Sequence, residues 1–94
     1  MSLERDMMMD DIESDVTEIL GGMIEDETGC MVGQYDGYEK SCGDLELDFI
    51  NKESFDKVMK EINNPKSKYR WLKRRLITWD EKYNTMRFDV TRGL

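Results

Sequence analysis

Apolar positions along the chain fall into segments with two distinct periods. Met9, Ile12, Val16, Ile19, Leu20 and Met23 recur at intervals of mostly three or four residues, which gathers them on one stripe of an α-helix. Asp10, Asp11, Glu13, Asp15 and Glu18 fall largely off that stripe. Acids in the early turns also complement the positive end of the helix dipole. Gly21-Gly22 predicts the stop, because glycine readily takes the left-handed conformation that closes helices. The methionines read as core filling rather than as metal or cofactor ligands.

The period then shortens. Residues 25–29 read as a loop, and Cys30-Met31-Val32 followed by Tyr35 reads as a strand. Asp36-Gly37 is a two-residue hairpin signal, and Ser41-Cys42-Gly43-Asp44 a second turn. Leu45, Leu47 and Phe49 alternate with Glu46 and Asp48, predicting a half-buried strand with an acidic outer side. Asn51 is placed to cap a second helix. That helix carries Phe55, Val58, Met59 and Ile62 on one stripe and is ended by Asn63-Asn64-Pro65. At the far end Met86, Phe88 and Val90 alternate with Arg87 and Asp89. Leu76-Ile77-Thr78-Trp79 is the expected hairpin partner, closing through residues 80–84.

Residues 65–75 admit two readings. Asn64 followed by Pro65 is a good helix start, and Tyr69, Leu72 and Leu76 lie at helical spacing. Tyr69, Trp71 and the Ile77-Thr78-Trp79 run favour a long strand equally well. The fold class expected is therefore α+β: an N-terminal amphipathic helix, a small antiparallel sheet, a second helix packed on the sheet, and a C-terminal β-hairpin. A basic helix at 65–75 would make a winged-helix-like arrangement the alternative. The 94 residues suit a single domain, with residues 1–6 expected to be disordered or vector-derived.

Charge sharpens this picture. The net charge is −7, but it is divided unevenly. Residues 1–50 hold fifteen acids against Arg5 and Lys40, while residues 51–94 hold six acids against twelve bases. Such a split is a signal of an interaction surface. The N-terminus lacks the basic and apolar regions of a signal peptide, and no segment approaches the roughly 20 apolar residues that span a bilayer. A cytoplasmic location with no membrane partner is expected, with Cys30 and Cys42 reduced by default and a disulfide between them the minor reading.

Candidate chemistry is narrow. The chain has no histidine, so the commonest general base and transition-metal ligand is missing. Nucleophilic triads built on histidine cannot form, and two isolated cysteines do not make a zinc site unaided. No phosphate-cradling glycine motif is present. No catalytic residue, no metal ligand and no cofactor is assigned, and the chain is not expected to be an enzyme.

Two binding readings remain. Asp10, Asp11, Asp15, Glu18, Glu25, Asp26 and Glu27, with the outer side of strand 45–50, would present a field of carboxylates that attracts a basic protein. Tyr35 or Tyr38, if exposed, would supply the aromatic anchor. The protein is then expected to inhibit or neutralise that partner, which can itself bind nucleic acid. The alternative is a small nucleic-acid-binding regulator using Lys66, Lys68, Arg70, Trp71, Lys73, Arg74 and Arg75, bases for phosphates and an aromatic for stacking. A homo-oligomer pairing acidic with basic faces is a third arrangement.

Overall fold

The stripe of Met8, Ile12, Val16 and Ile19 is buried along the first helix, α1 (Leu3–Ile19), with Met9 half-buried beside it. This is a computed structural model of the chain; it describes residues 3–22, 24–25, 27–40 and 43–90. Gly21 and Gly22, at φ +84° and +94°, end the helix as the sequence requires. Gln34 completes the cap by donating from Nε2 to the carbonyls of Leu20 and Gly22, at 2.9 and 2.5 Å. Met23 lies outside the described residues.

Two short strands follow, β1 (Ile24–Glu25) and β2 (Met31–Val32), paired antiparallel. The expected 25–29 loop is thus the connection of a small hairpin. The next strand, β3 (Tyr35–Glu39), corrects one expectation: Asp36-Gly37 is not a turn but the middle of the strand. The Glu13 side chain of α1 packs over Gly37. A Cβ on it would collide with the Glu13 carboxylate of α1 and approach Leu47 Cδ2 to 3.1 Å. The hairpin closes four residues later, with Gly43 at φ +94° and Gly43 N–H donating to the Lys40 carbonyl at 2.9 Å.

The strand β4 (Asp44–Phe49) buries Leu45, Leu47 and Phe49. Asn51 caps helix α2 (Lys52–Asn63), its side chain accepting from Ser54 N–H at 2.8 Å, and Phe55, Val58 and Ile62 face inward. The hairpin β5 (Leu76–Asp80) and β6 (Thr85–Asp89) closes the chain's described part. The sheet order is β3-β4-β6-β5, antiparallel throughout. The α+β class holds.

Residues 65–75 form neither a long strand nor an α-helix. Turns at 65–69 lead into a 3₁₀ helix, Arg70–Arg74. Because β6 pairs with β4, the terminal hairpin is built into the sheet rather than standing off as a wing, and no basic recognition helix precedes it. The winged-helix alternative is therefore not what the chain forms. Leu72, fully buried, decides the conformation: a short helix suffices to put one leucine into the core beside α2. All core residues of α1, α2 and the 3₁₀ helix converge on one face of the sheet, with Met86, Phe88 and Val90.

Candidate functional site

Side chains directly paired across strands share a face of the sheet, so the register defines the face turned away from the helices. One row across it reads Asp36, Asp48, Thr85, Asp80. The next reads Tyr38, Glu46, Arg87, Thr78, and Asp44 and Asp89 form a third. Six carboxylates stand against two cations in this array, Arg87 and Lys40, the latter at the end of β3 beside Asp44 and Glu46. Neighbouring strands are about 4.8 Å apart, which places like charges directly opposite each other at Asp36–Asp48 and Asp44–Asp89. Residues on the outer strands, Asp36, Tyr38, Thr78 and Asp80, are exposed; those on β4 and β6 are half-buried, and Asp44 is 9% exposed.

The array is internally ordered. Tyr38 donates its hydroxyl to Glu46 and to Asp48 Oδ2, the latter at 3.2 Å. Its hydrogen bond to Glu46 is the main reason its hydroxyl is held protonated well above the ordinary tyrosine range. The same bond holds the Glu46 carboxyl below its usual value, helped by Lys40 Nζ at 3.5 Å. Burial pushes the Asp48 carboxyl up, against the Tyr38 hydrogen bond, and Asp48 Oδ1 is buried without a hydrogen-bond donor. Arg87 Nε lies 3.1 Å from Asp44 Oδ2, an ion pair whose N–H is not well enough aligned for a hydrogen bond.

The acids expected to act from α1 divide into two groups. Asp10 and Asp11 are exposed. Asp15 accepts from Trp71 Nε1 at 2.7 Å. Glu18 accepts from the Tyr69 hydroxyl at 2.5 Å and pairs with Lys68 Nζ at 2.7 Å, and the hydrogen bonds from Lys68 and Tyr69 hold its carboxyl below the usual range. Part of the opposition between the acidic and basic halves is thus satisfied within one molecule. Glu27 is exposed in the β1–β2 connection. Asp26 and the side chain of Glu25 lie outside the described residues, as does Cys42, and with it any pairing to the exposed Cys30.

The two candidate tyrosines also differ. Tyr35 is half-buried, its ring 6.0 Å from that of Phe49 and its hydroxyl donating to the Glu13 carbonyl at 3.0 Å; it is a packing residue, not an exposed anchor. Tyr38, 41% exposed, stands in the middle of the carboxylate array. Asp36, Asp44, Asp80 and Asp89 join that array through strand pairing. Nothing in their spacing along the chain marks them out, although the alternation at 44–49 and 85–89 announces one polar face on each strand.

Of the basic segment, Lys66, Arg70, Lys73 and Arg74 are exposed. Arg70, Lys73 and Arg74 line a groove of about 350 Å³ with Ile62, Asn63 and Pro65 at the end of α2. Arg70 Nη1 donates to the Pro65 carbonyl at 3.1 Å, and bases here complement the negative end of that helix. Lys68 is committed to Glu18, Arg75 is half-buried, and the Trp71 ring is packed against the core. Among the described residues no group of three or more Cys, Asp or Glu is placed to hold a metal ion. No helix among them is long and apolar enough to cross a membrane. Compared with known family models, curated proteins and solved structures, the chain matches none significantly.

Proposed function

We propose that this protein is a non-catalytic binding domain that takes a basic protein partner on the outer face of its sheet and neutralises it. One observation carries the reading: Asp36 and Asp48 lie directly opposite each other on a face where six carboxylates meet Arg87 and Lys40. Like charges directly opposite each other destabilise a sheet. Local rules are usually broken where function requires it. A partner bringing lysines or arginines to this face would relieve the repulsion, and the exposed Tyr38 ring adds a contact of the kind that concentrates binding energy.

Asp10, which lines a groove together with Asp36, carries the field past the edge of the sheet; it and the exposed Asp11 and Glu27 would act mainly on the association rate. Asp15 and Glu18 act differently: their carboxylates are spent on Trp71, Tyr69 and Lys68, so their contribution to a partner is secondary. The polynucleotide reading retains the groove of Arg70, Lys73 and Arg74, but its aromatic component, Trp71, is engaged with Asp15.

The test is affinity capture from the source cell with the parent chain and with an Asp36→Lys, Asp48→Lys variant. The expected result is a basic protein retained by the parent, released by salt, and lost with the variant. Equal retention by both chains would overturn the reading. A mobility-shift titration at two salt concentrations addresses the second reading: tight, salt-weakened binding of a polynucleotide, abolished by Arg70→Ala, Lys73→Ala, Arg74→Ala, would favour it instead.

A further inference from the structure

The backbone of β3 is turned in a regular alternation that leaves one edge of the strand unanswered. Lys40 N–H donates to the Asp44 carbonyl at 2.7 Å, and Ile50 N–H to the Gln34 carbonyl at 3.0 Å. Both bonds continue the β3–β4 register, which runs from Tyr35↔Phe49 to Glu39↔Leu45 without a shift. Peptide groups alternate in direction along a strand, so Gln34, Asp36, Tyr38 and Lys40 turn theirs towards β4. Those of Tyr35 and Gly37 therefore point away from the sheet. β3 is an outermost strand in the sheet order, and Gly37, whose surface is all backbone, is exposed.

The charge flanking this edge has one sign on both sides. On the outer face Asp36 stands beside Tyr38, with Asp48 and Glu46 opposite them on β4. On the helix side, Asp10, Glu13 and Asp36 line a groove of about 470 Å³ between α1 and β3, together with Tyr35 and Gly37. Among the described residues no base lines that groove. Charged side chains on an edge keep a strand from pairing with a second copy of itself. They do not hinder a strand of opposite charge, which the same carboxylates attract.

We propose that β3 takes an extended basic segment of the partner as an added strand at its free edge. The proposal rests on the basic partner inferred above and specifies how that partner is held. The N–H and C=O groups of Tyr35 and of Gly37 each gain a main-chain partner, which supplies affinity independent of the segment's sequence. Successive side chains of the segment fall on opposite sides of the edge. Those on the outer face lie beside Asp36 and Tyr38; the others enter the groove beside α1, towards Glu13 and Asp10. Lysine and arginine suit both sides, because the stem lies along apolar surface while the charged head meets carboxylates.

Heptalysine tests this, beside a counterpart N-methylated at every peptide bond, which keeps the charges and loses the main-chain donors. Fluorescence anisotropy with the full chain at low salt should show heptalysine bound about tenfold more tightly than its counterpart (about 1.4 kcal/mol). Hydrogen exchange followed by NMR should show the Tyr35 and Gly37 amides fast in the free chain and slowed about tenfold when heptalysine saturates it. Equal affinity for the two peptides overturns strand addition and leaves a basic partner on the face of the sheet intact. So do Tyr35 and Gly37 amides that exchange alike with and without heptalysine. Failure of both peptides to bind at about 1 mM also overturns it, and affinity capture with the Asp36→Lys, Asp48→Lys variant then decides the acidic face on its own.

Discussion

Trp71 donates its indole N–H to Asp15 at 2.7 Å, joining the basic segment to the acidic helix across 56 residues of chain. Lys68 and Tyr69 reach Glu18 one turn further along the same helix. What looks from composition like two opposed surfaces is in part a single internal seam.

That seam should be measurable. Trp71→Phe and Asp15→Ala should each lower the unfolding free energy by about 1.5–3 kcal/mol, the range for a hydrogen bond to a charged group. The double variant should cost less than the sum of the two, because both remove the same bond. Urea denaturation of the four chains gives the cycle. Full additivity would show that the two residues do not act on each other.

Gly37 and Glu13 form a second dependent pair. Gly37→Val should destabilise by about 1–3 kcal/mol through overpacking, since a side chain there displaces the Glu13 carboxylate and presses on Leu47. Glu13→Ala should recover part of that loss. Thermal melts of the single and double variants decide it, and a Gly37→Val chain as stable as the parent would show that the Glu13 carboxylate swings aside at little cost.

The like-charged pair Asp36–Asp48 on the outer face predicts an unusual sign. Asp36→Asn should raise stability, by up to about 1 kcal/mol, while weakening capture of a basic partner. Stability and binding then move in opposite directions, as expected where a site is kept at a cost to the fold. Acids retained only for solubility would not link the two measurements.

Acid titration should separate two sets of carboxylates. Glu18 and Glu46 have folded-state pKa values below the usual 4.5. Their stabilisation is present above the unfolded value and disappears as pH falls through the folded one. Glu13 is raised, first by burial and then by the Asp10 charge, and Asp48 is raised by burial. For these the sign reverses: the charged form is disfavoured in the folded state, and protonation relieves it as pH falls through the raised value. Glu13→Gln should therefore stabilise the neutral protein and remove the gain on mild acidification. Carboxyl chemical shifts followed by NMR should place Glu13 and Asp48 above their ordinary values and Glu18 and Glu46 below.

Much of the architecture is legible in the chain because it rests on local rules. The helical stripe ending at Gly21-Gly22, the Asn51 cap and the alternation at 45–49 and 86–90 each depend on neighbours a few residues away. Asp36-Gly37 reads locally as a turn but lies within β3 for a non-local reason: it pairs with Leu47 and Asp48 of β4, with the Glu13 side chain of α1 packed over Gly37. Residues 65–75 resisted assignment because strand and helix propensities were balanced, and the burial of Leu72 against α2 tipped the balance to a short 3₁₀ helix.

The sequence by itself determined the two helices and the 45–49 and 86–90 strands, the absence of histidine chemistry and the separation of acids from bases. Only the tertiary structure decided which of those charges face each other. Strand register placed Asp36, Asp44, Asp80 and Asp89 on one face with Glu46 and Asp48, and helix packing turned Asp15 and Glu18 towards Trp71, Tyr69 and Lys68. The physical reason is that periodicity fixes which side of an element a residue occupies, whereas the neighbour across the gap is set by how the hydrophobic faces close on one another.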